Sequence, residues 1–192
     1  MNIKYAVACG IFLTTIACAK VNAPKGWILA GSKPKSYSAA VDKENAYNGQ
    51  NTVKYQSIEK VANGFGTMMQ MIKADQYKGK RVRWSGYIKS EKLDGWAGLW
   101  MRVDGVSGGN SLAFDNMQDR AVKGSTAWKK YEVVLDVPAK DSTAIGFGVL
   151  LDKNGTIWVS GFELQVVDKK VPVTEINLLR HYPDKPVNLN FE

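Results

Sequence analysis

From residue 26 onward the chain alternates apolar and polar positions in short runs broken by Gly, Asn and Asp. A period of two marks strands with one buried face, because successive side chains leave a strand on opposite sides. Trp27 to Ala30 predicts a first strand. Lys33 to Tyr37, with Pro34, reads as loop, and Asn48-Gly49 as a turn leading into a strand at Thr52 to Ser57. Thr67 to Ile72 predicts another strand, although its methionines also suit a helical turn. In Arg81 to Ser90, Val82, Trp84, Gly86 and Ile88 alternate with Arg81, Arg83, Ser85 and Tyr87. Asp94-Gly95 predicts a turn, followed by a strand from Trp96 to Asp104. Ser111 to Asp115 is short and extended, and Asn116 to Thr126 reads as a polar loop. Trp128 to Val137 puts Tyr131, Val133, Leu135 and Val137 on one face. Ile145 to Leu151 and Thr156 to Val167 complete the set, with Asn154-Gly155 as a hairpin turn between them. About eight short strands with Gly- and Asp-rich turns predict an all-β fold, a two-sheet antiparallel jelly-roll sandwich.

The stretch WAGLWMRVD carries the most chemistry. Ala97, Leu99, Met101 and Val103 form an ordinary core face, while Trp96, Gly98, Trp100, Arg102 and Asp104 share the other. A solvated face rarely carries two indoles, and a buried one rarely carries Arg and Asp unless they pair. Two readings fit. One is a cleft that stacks flat rings and hydrogen-bonds polar edges, with Gly98 leaving access between the indoles. The other is a second hydrophobic layer with Arg102 and Asp104 as an ion pair at its rim.

Other positions could join this face. Phe114 to Arg120 packs Asp115, Asn116, Gln118, Asp119 and Arg120 together, enough to orient hydroxyls or to hold the loop itself through Asx-turns and ion pairs. Gly146 and Gly148 empty one face of their strand, for a ligand or for a neighbouring ring such as Trp158. Gln70 lies among apolar residues and needs a partner. Asp104, Asp115, Glu132 and Asp136 could supply a glycosidase, but hydrolysis needs two carboxylates at a set separation across the bond, which spacing in sequence does not provide.

The net charge of +8 invites a nucleic-acid reading, yet the basic residues are scattered, and the densest cluster, Lys78 to Arg83, reads as a turn feeding a strand. No nucleic-acid partner is expected. Lys4, the apolar run Tyr5 to Ile16 and Ala17-Cys18-Ala19 read as a signal peptide over residues 1–19, too short for a membrane span. Thr15-Ile16-Ala17-Cys18 also approaches a lipobox, so a lipid anchor at Cys18 is the alternative. Export to the periplasm or beyond follows. Both cysteines, Cys9 and Cys18, lie in this leader, and His181 is the lone histidine. That leaves the body of the domain without a thiolate site, a multi-histidine metal site or a His-based triad. No cofactor is expected, although a calcium ion could brace a loop. A sandwich over residues 24–168 and an extended tail over 169–192 complete the organisation.

GFGTMMQM, YKGKRVRWSGYIK, WAGLWMRVDG, LAFDNMQDR, KGSTAWKKYEVVLDVP and IGFGVLLDKNGTIWV together resemble a bacterial β-sandwich family from about Gly26 to Val167. That family is similar to galactose-binding-like jelly rolls and to carbohydrate-binding modules. The closing PVNLNFE resembles the segment that often opens or trails such modules. Some relatives are fused to helix-turn-helix regulators; the leader argues against carrying that role over. Relatives tend to have two acidic residues after the last Trp, where this chain has Ser160-Gly161. The resemblance implies a non-catalytic domain that binds a carbohydrate or other small polar ligand. Trp96 and Trp100 would stack on a sugar, Arg102, Asp104 and Gln70 would read hydroxyls, and Asp115 and Asn116 would orient the loop or join the site. An envelope protein partner on the same Trp face is the second expectation, and a hydrolase using Asp104 the third.

Overall fold

The computed structural model describes residues 23–106, 111–175 and 189. The expected signal peptide over residues 1–19, with Cys9 and Cys18, and all of the expected tail beyond Glu175 except Leu189, His181 included, lie outside the described residues. Among the described residues nine strands follow in order: β1 (Ile28–Gly31), β2 (Tyr37–Tyr47), β3 (Gln50–Ser57), β4 (Phe65–Lys73), β5 (Arg81–Gly105), β6 (Ser111–Asp115), β7 (Val122–Asp136), β8 (Ser142–Asp152) and β9 (Thr156–Val167). Every pairing is antiparallel.

The expected turn at Asp94-Gly95 is absent, because Arg81 to Gly105 is one 25-residue strand. Its first half, to Glu91, lies between β9 and β7; its second half, from Ala97, lies between β8 and β6. β5 therefore belongs to both layers. One layer reads β2-β3-β9-β5-β7 and the other β1-β4-β8-β5-β6, a sheet curled into a jelly-roll sandwich. The strand bends between Ser90 and Ala97, where its register with β7 slips repeatedly and Lys92 takes a positive φ of 53°. Asn154-Gly155 does not make a hairpin: β8 pairs with β4 and β5, and β9 with β3 and β5, so this turn passes from one layer to the other. Tyr37, expected at the end of the Lys33 to Tyr37 loop, instead opens β2, and β7 begins at Val122, six residues before the expected Trp128.

The two inner faces meet in a core of Val82, Trp84, Ile88, Leu99, Met101, Val133, Leu135, Ile145, Val149 and Ile157. Trp84 joins the layers directly: its Nε1 donates to the Gly148 carbonyl at 3.0 Å, and its ring lies 4.8 Å from that of Phe147. Tyr37 does the same at the other end, donating to the Lys153 carbonyl at 2.9 Å.

The first layer is largely covered by the chain itself. The end of the β2–β3 hairpin crosses its outer face from the β2 edge. Tyr47 stacks on Trp128 of β7 at 4.6 Å and meets Tyr87 of β5 at 4.9 Å. Asp42 accepts the Trp158 indole N–H at 2.9 Å, and Ser160 donates to the Asn51 carbonyl. At the opposite end Arg81 grips Asp136 through two hydrogen bonds and also donates to the carbonyls of Lys169 and Val171. Val134, on the outward parity, is fully buried as a result.

Tyr37 and Tyr55 give a pH signature. Burial, then the nearby Asp152 charge, push the Tyr37 phenol up to about 12, and burial pushes Tyr55 further still. Unfolded phenols ionise near pH 10, so folding resists their ionisation. Stability should therefore be undiminished by these groups below about pH 10 and fall as pH rises towards about 12. Thermal melts across that window, with Tyr37→Phe and Tyr55→Phe combined, should show the fall and its flattening in the double variant.

Candidate functional site

The outer face of the second layer carries a cleft of about 400 Å³. Its floor and walls are built by strand parity. Phe65, Thr67 and Met69 come from β4, Leu150 and Asp152 from β8, Trp96, Trp100 and Arg102 from β5, and Phe114 from β6; Ala30, Gly31 and Asn116 close it.

Trp100 lies over the two glycines of β8. It stands opposite Gly148 in register, and a Cβ on Gly146 would come within 3.4 Å of its ring. The indole crosses β8 over this track and donates Nε1–H to Thr67 Oγ1 on β4 at 2.7 Å. Thr67 passes its own hydroxyl proton to the Val149 carbonyl at 2.9 Å. Trp100, only 7% exposed, is thus a fixed floor plate. Trp158, the candidate filler from sequence, belongs to the other layer. Trp96 is half-buried and forms a wall.

Gly98 does not open a passage between the indoles. A Cβ there would lie 3.0 Å from the Asn116 carbonyl and 3.1 Å from Met117 Cβ, so the missing side chain admits the loop after β6. That loop is held by Asp115, which is 0% exposed. Asp115 accepts from the Met117 amide at 2.8 Å, from the Arg120 guanidinium at 2.6 Å and from the Thr174 hydroxyl. Asp115 is therefore a buried organiser and does not face the cleft. Asn116 does face it, with its Oδ1 accepting the Gln118 amide.

The Arg102–Asp104 pair is formed, Nε to Oδ1 at 2.6 Å and Nη2 to Oδ2 at 3.1 Å. Arg102 lines the cleft and Asp104 supports it from outside. Gln70 stands on the other side of the sheet: it shares parity with the core residue Met68 and pairs with Phe147, whose ring packs against Trp84. The sequence face thus brings together Trp96, Trp100, Arg102 and Asn116 and leaves out Gln70, Asp104 and Asp115.

Sequence reasoning missed Phe65, Met69, Leu150 and Asp152. The signal was present on β8, where Gly146, Gly148, Leu150 and Asp152 alternate along one face. Gly95 lets Asp152 sit close, since a Cβ there would meet its Oδ2 at 2.6 Å. Burial pushes the Asp152 carboxyl up, with Lys153 opposing. The four acids that could have served hydrolysis each meet an arginine: Asp104 with Arg102, Asp115 with Arg120, Asp136 with Arg81, and Glu132 with Arg83 at 3.7 Å. Among the described residues Asp152 is the one carboxylate lining the cleft, and no cluster of three or more metal-ligating side chains occurs. Among the same residues no helix is long and apolar enough to cross a membrane.

No family model matches the chain. Over 170 residues, 88% of its length, it is 41% identical to the uncharacterized HTH-type transcriptional regulator YbfP of Bacillus subtilis, and it spans 57% of that protein. Among solved structures it is similar to the CBM22-1 xylan-binding domain of Xyn10C from Paenibacillus barcinonensis, with a TM-score of 0.54 and 15% identity over 76% of this chain and 88% of that one. The C-terminal family 22 carbohydrate-binding module of Xyn10B from Clostridium thermocellum gives 0.51 and 13% identity, covering 74% and 86%. The Stig cyclase Fisc from Fischerella sp. TAU gives 0.52 and 13% identity, covering 77% and 87%. The chain has the jelly-roll fold of carbohydrate-binding modules, a fold that also serves a cyclase.

The glycine track gives a graded test. A Cβ on Gly148 would drive into the Met68 backbone carbonyl, whereas one on Gly146 meets the flexible Met71 thioether at 2.7 Å. Gly148→Ala should destabilise by about 1–3 kcal/mol or prevent folding, and Gly146→Ala by clearly less. Urea titration of both variants checks the order.

Proposed function

We propose that this chain is an exported, non-catalytic binding domain whose ligand is a carbohydrate held in the Trp96–Trp100 cleft. The observation that carries the reading is the cleft itself: an aromatic floor and walls with polar groups at the rim, on the outer face that the chain does not cover with its own hairpin. Sugars present an apolar C–H face to aromatic rings and hydroxyls to polar side chains, and this lining offers both. Trp96 would stack on the sugar over the Trp100 floor. Arg102, held by Asp104, and Asn116 and Asp152 would read hydroxyls. The family 22 modules that share the fold support the choice of ligand class, and the leader-like start from Lys4 to Ala19 supports export to the periplasm or beyond. Among the described residues the cleft is lined by one carboxylate, Asp152, whereas glycoside hydrolysis uses two, which favours binding over hydrolysis.

A second reading is favoured by one observation. Phe114 is 41% and Leu112 38% exposed beside the cleft, an apolar strip that a protein partner of the envelope could cover.

Intrinsic fluorescence of the purified chain against xylo-, cello-, galacto- and chito-oligosaccharides separates the two. A saturable change is expected, with Trp96→Ala weakening affinity by about tenfold or more, as loss of a central aromatic anchor does, at an unaltered melting temperature. No response to any glycan from folded protein overturns the carbohydrate reading in favour of the partner.

A further inference from the structure

Past β9 the chain does not simply leave the domain. It crosses Arg81, whose Nη1 donates to the carbonyls of Lys169 and Val171 at 2.6 Å each. It then reaches the free edge of β7, where the Thr174 amide donates to the Val134 carbonyl at 2.9 Å and the Val134 amide donates to Thr174 Oγ1 at 2.8 Å. The same hydroxyl donates to Asp115, and the next residue, Glu175, accepts the Phe114 amide at 3.3 Å. β6 and β7 are the partners of β5 in different layers. Residues 168–175 therefore tie the β7 edge of one layer to the β6 end of the other. What they hold at that end is the cleft wall, because Phe114 and Asn116 flank Asp115 and both line the cleft.

We infer that residues 168–175 form a strap that completes the ligand cleft, with Thr174 as the positioning residue for its Phe114–Asn116 wall. The ligand's identity rests on the carbohydrate reading above; the strap's hold on the wall does not. A hydroxyl is required at 174 because it accepts from Val134 and donates to a buried carboxylate at once. Removing it leaves the Asp115 oxygen and the Val134 N–H short of a partner in a buried place. The two events are linked: a ligand that presses on Phe114 or Asn116 favours the docked strap, and the docked strap favours the ligand by the same factor.

The test uses the whole chain as wild type, Thr174→Val and Thr174→Ser, with hydrogen exchange of the ligand-free protein and fluorescence titration with xylohexaose. In Thr174→Val, exchange over residues 113–120 should accelerate about tenfold while β8 and β9 amides keep their rates, and xylohexaose should bind about tenfold more weakly, the scale of one buried hydrogen bond to a charged group. Thr174→Ser should restore both, and saturating xylohexaose should slow exchange of the Thr174 amide in the wild type. Unchanged exchange over 113–120, or a uniform acceleration through the core, overturns the strap. A loosened wall with undiminished xylohexaose binding overturns the positioning role. A wild type that ignores xylohexaose while the local exchange difference persists counts against the carbohydrate reading and supports the strap's hold on the wall.

Discussion

One strand shared by two sheets sets the architecture. β5 gives its first half to one layer and its second half to the other, so the sandwich is a single hydrogen-bonded sheet folded at Ser90 to Ala97. Both indoles that define Gly148 come from this strand. Trp84 binds its carbonyl from the inner side of the sandwich, and Trp100 stands opposite it on the outer side. The distance between the layers and the floor of the cleft are thereby tied to the same residue of β8. A Cβ at 148 would run into the Met68 carbonyl and Met69 of β4, which is why the strand carries glycine at a position where a β-branched residue would otherwise suit a central strand.

The two outer faces have opposite fates. On the first layer the hairpin end spends Tyr47 on Trp128 and Tyr87, and Asp42 on Trp158, so aromatic rings that could have formed a platform are used internally. On the second layer Trp96, Phe65 and Phe114 stay at the surface of a cleft. The contrast comes from where each polar partner is anchored. Asp115 is saturated by Met117, Arg120 and Thr174, and Arg102 is braced by Asp104 through Nε and Nη2, leaving Asn116, Asp152 and the remaining N–H groups of Arg102 as the less committed polar groups of the lining.

Much of this was legible in the alternation of residues. Parity along WAGLWMRVD separated Leu99, Met101 and Val103 from Trp100 and Arg102 correctly, and the β9 limits followed from Thr156 to Val167 alone. Both readings of the Trp face hold in part: Trp100 is a covered layer, Arg102 and Asp104 are a rim pair, and the cleft lies above them. What failed was anything that depended on which strands become neighbours. Asp94-Gly95 looks like a turn, yet the strand runs through it because pairing to β7 and β9 hands over to pairing with β8 and β6. Asn154-Gly155 looks like a hairpin, but its strands go to different layers. Gln70 was placed by its need for a partner, although its parity with Met68 already put it on the core side. Asp115 was read by its chemistry, and only the fold reveals three donors converging on it.

The anchoring of Trp100 at both ends has a thermodynamic consequence. Its backbone is fixed in the middle of β5 and its far edge is fixed to Thr67 two strands away, so the rotamer is chosen when the domain folds. A loose indole would have to give up its rotational freedom each time a ligand arrived, and an immobilised rotamer-rich side chain costs about 0.5–1.5 kcal/mol at that moment. Here that entropy is lost once, during folding, and encounter with a ligand starts from a floor already in its final orientation.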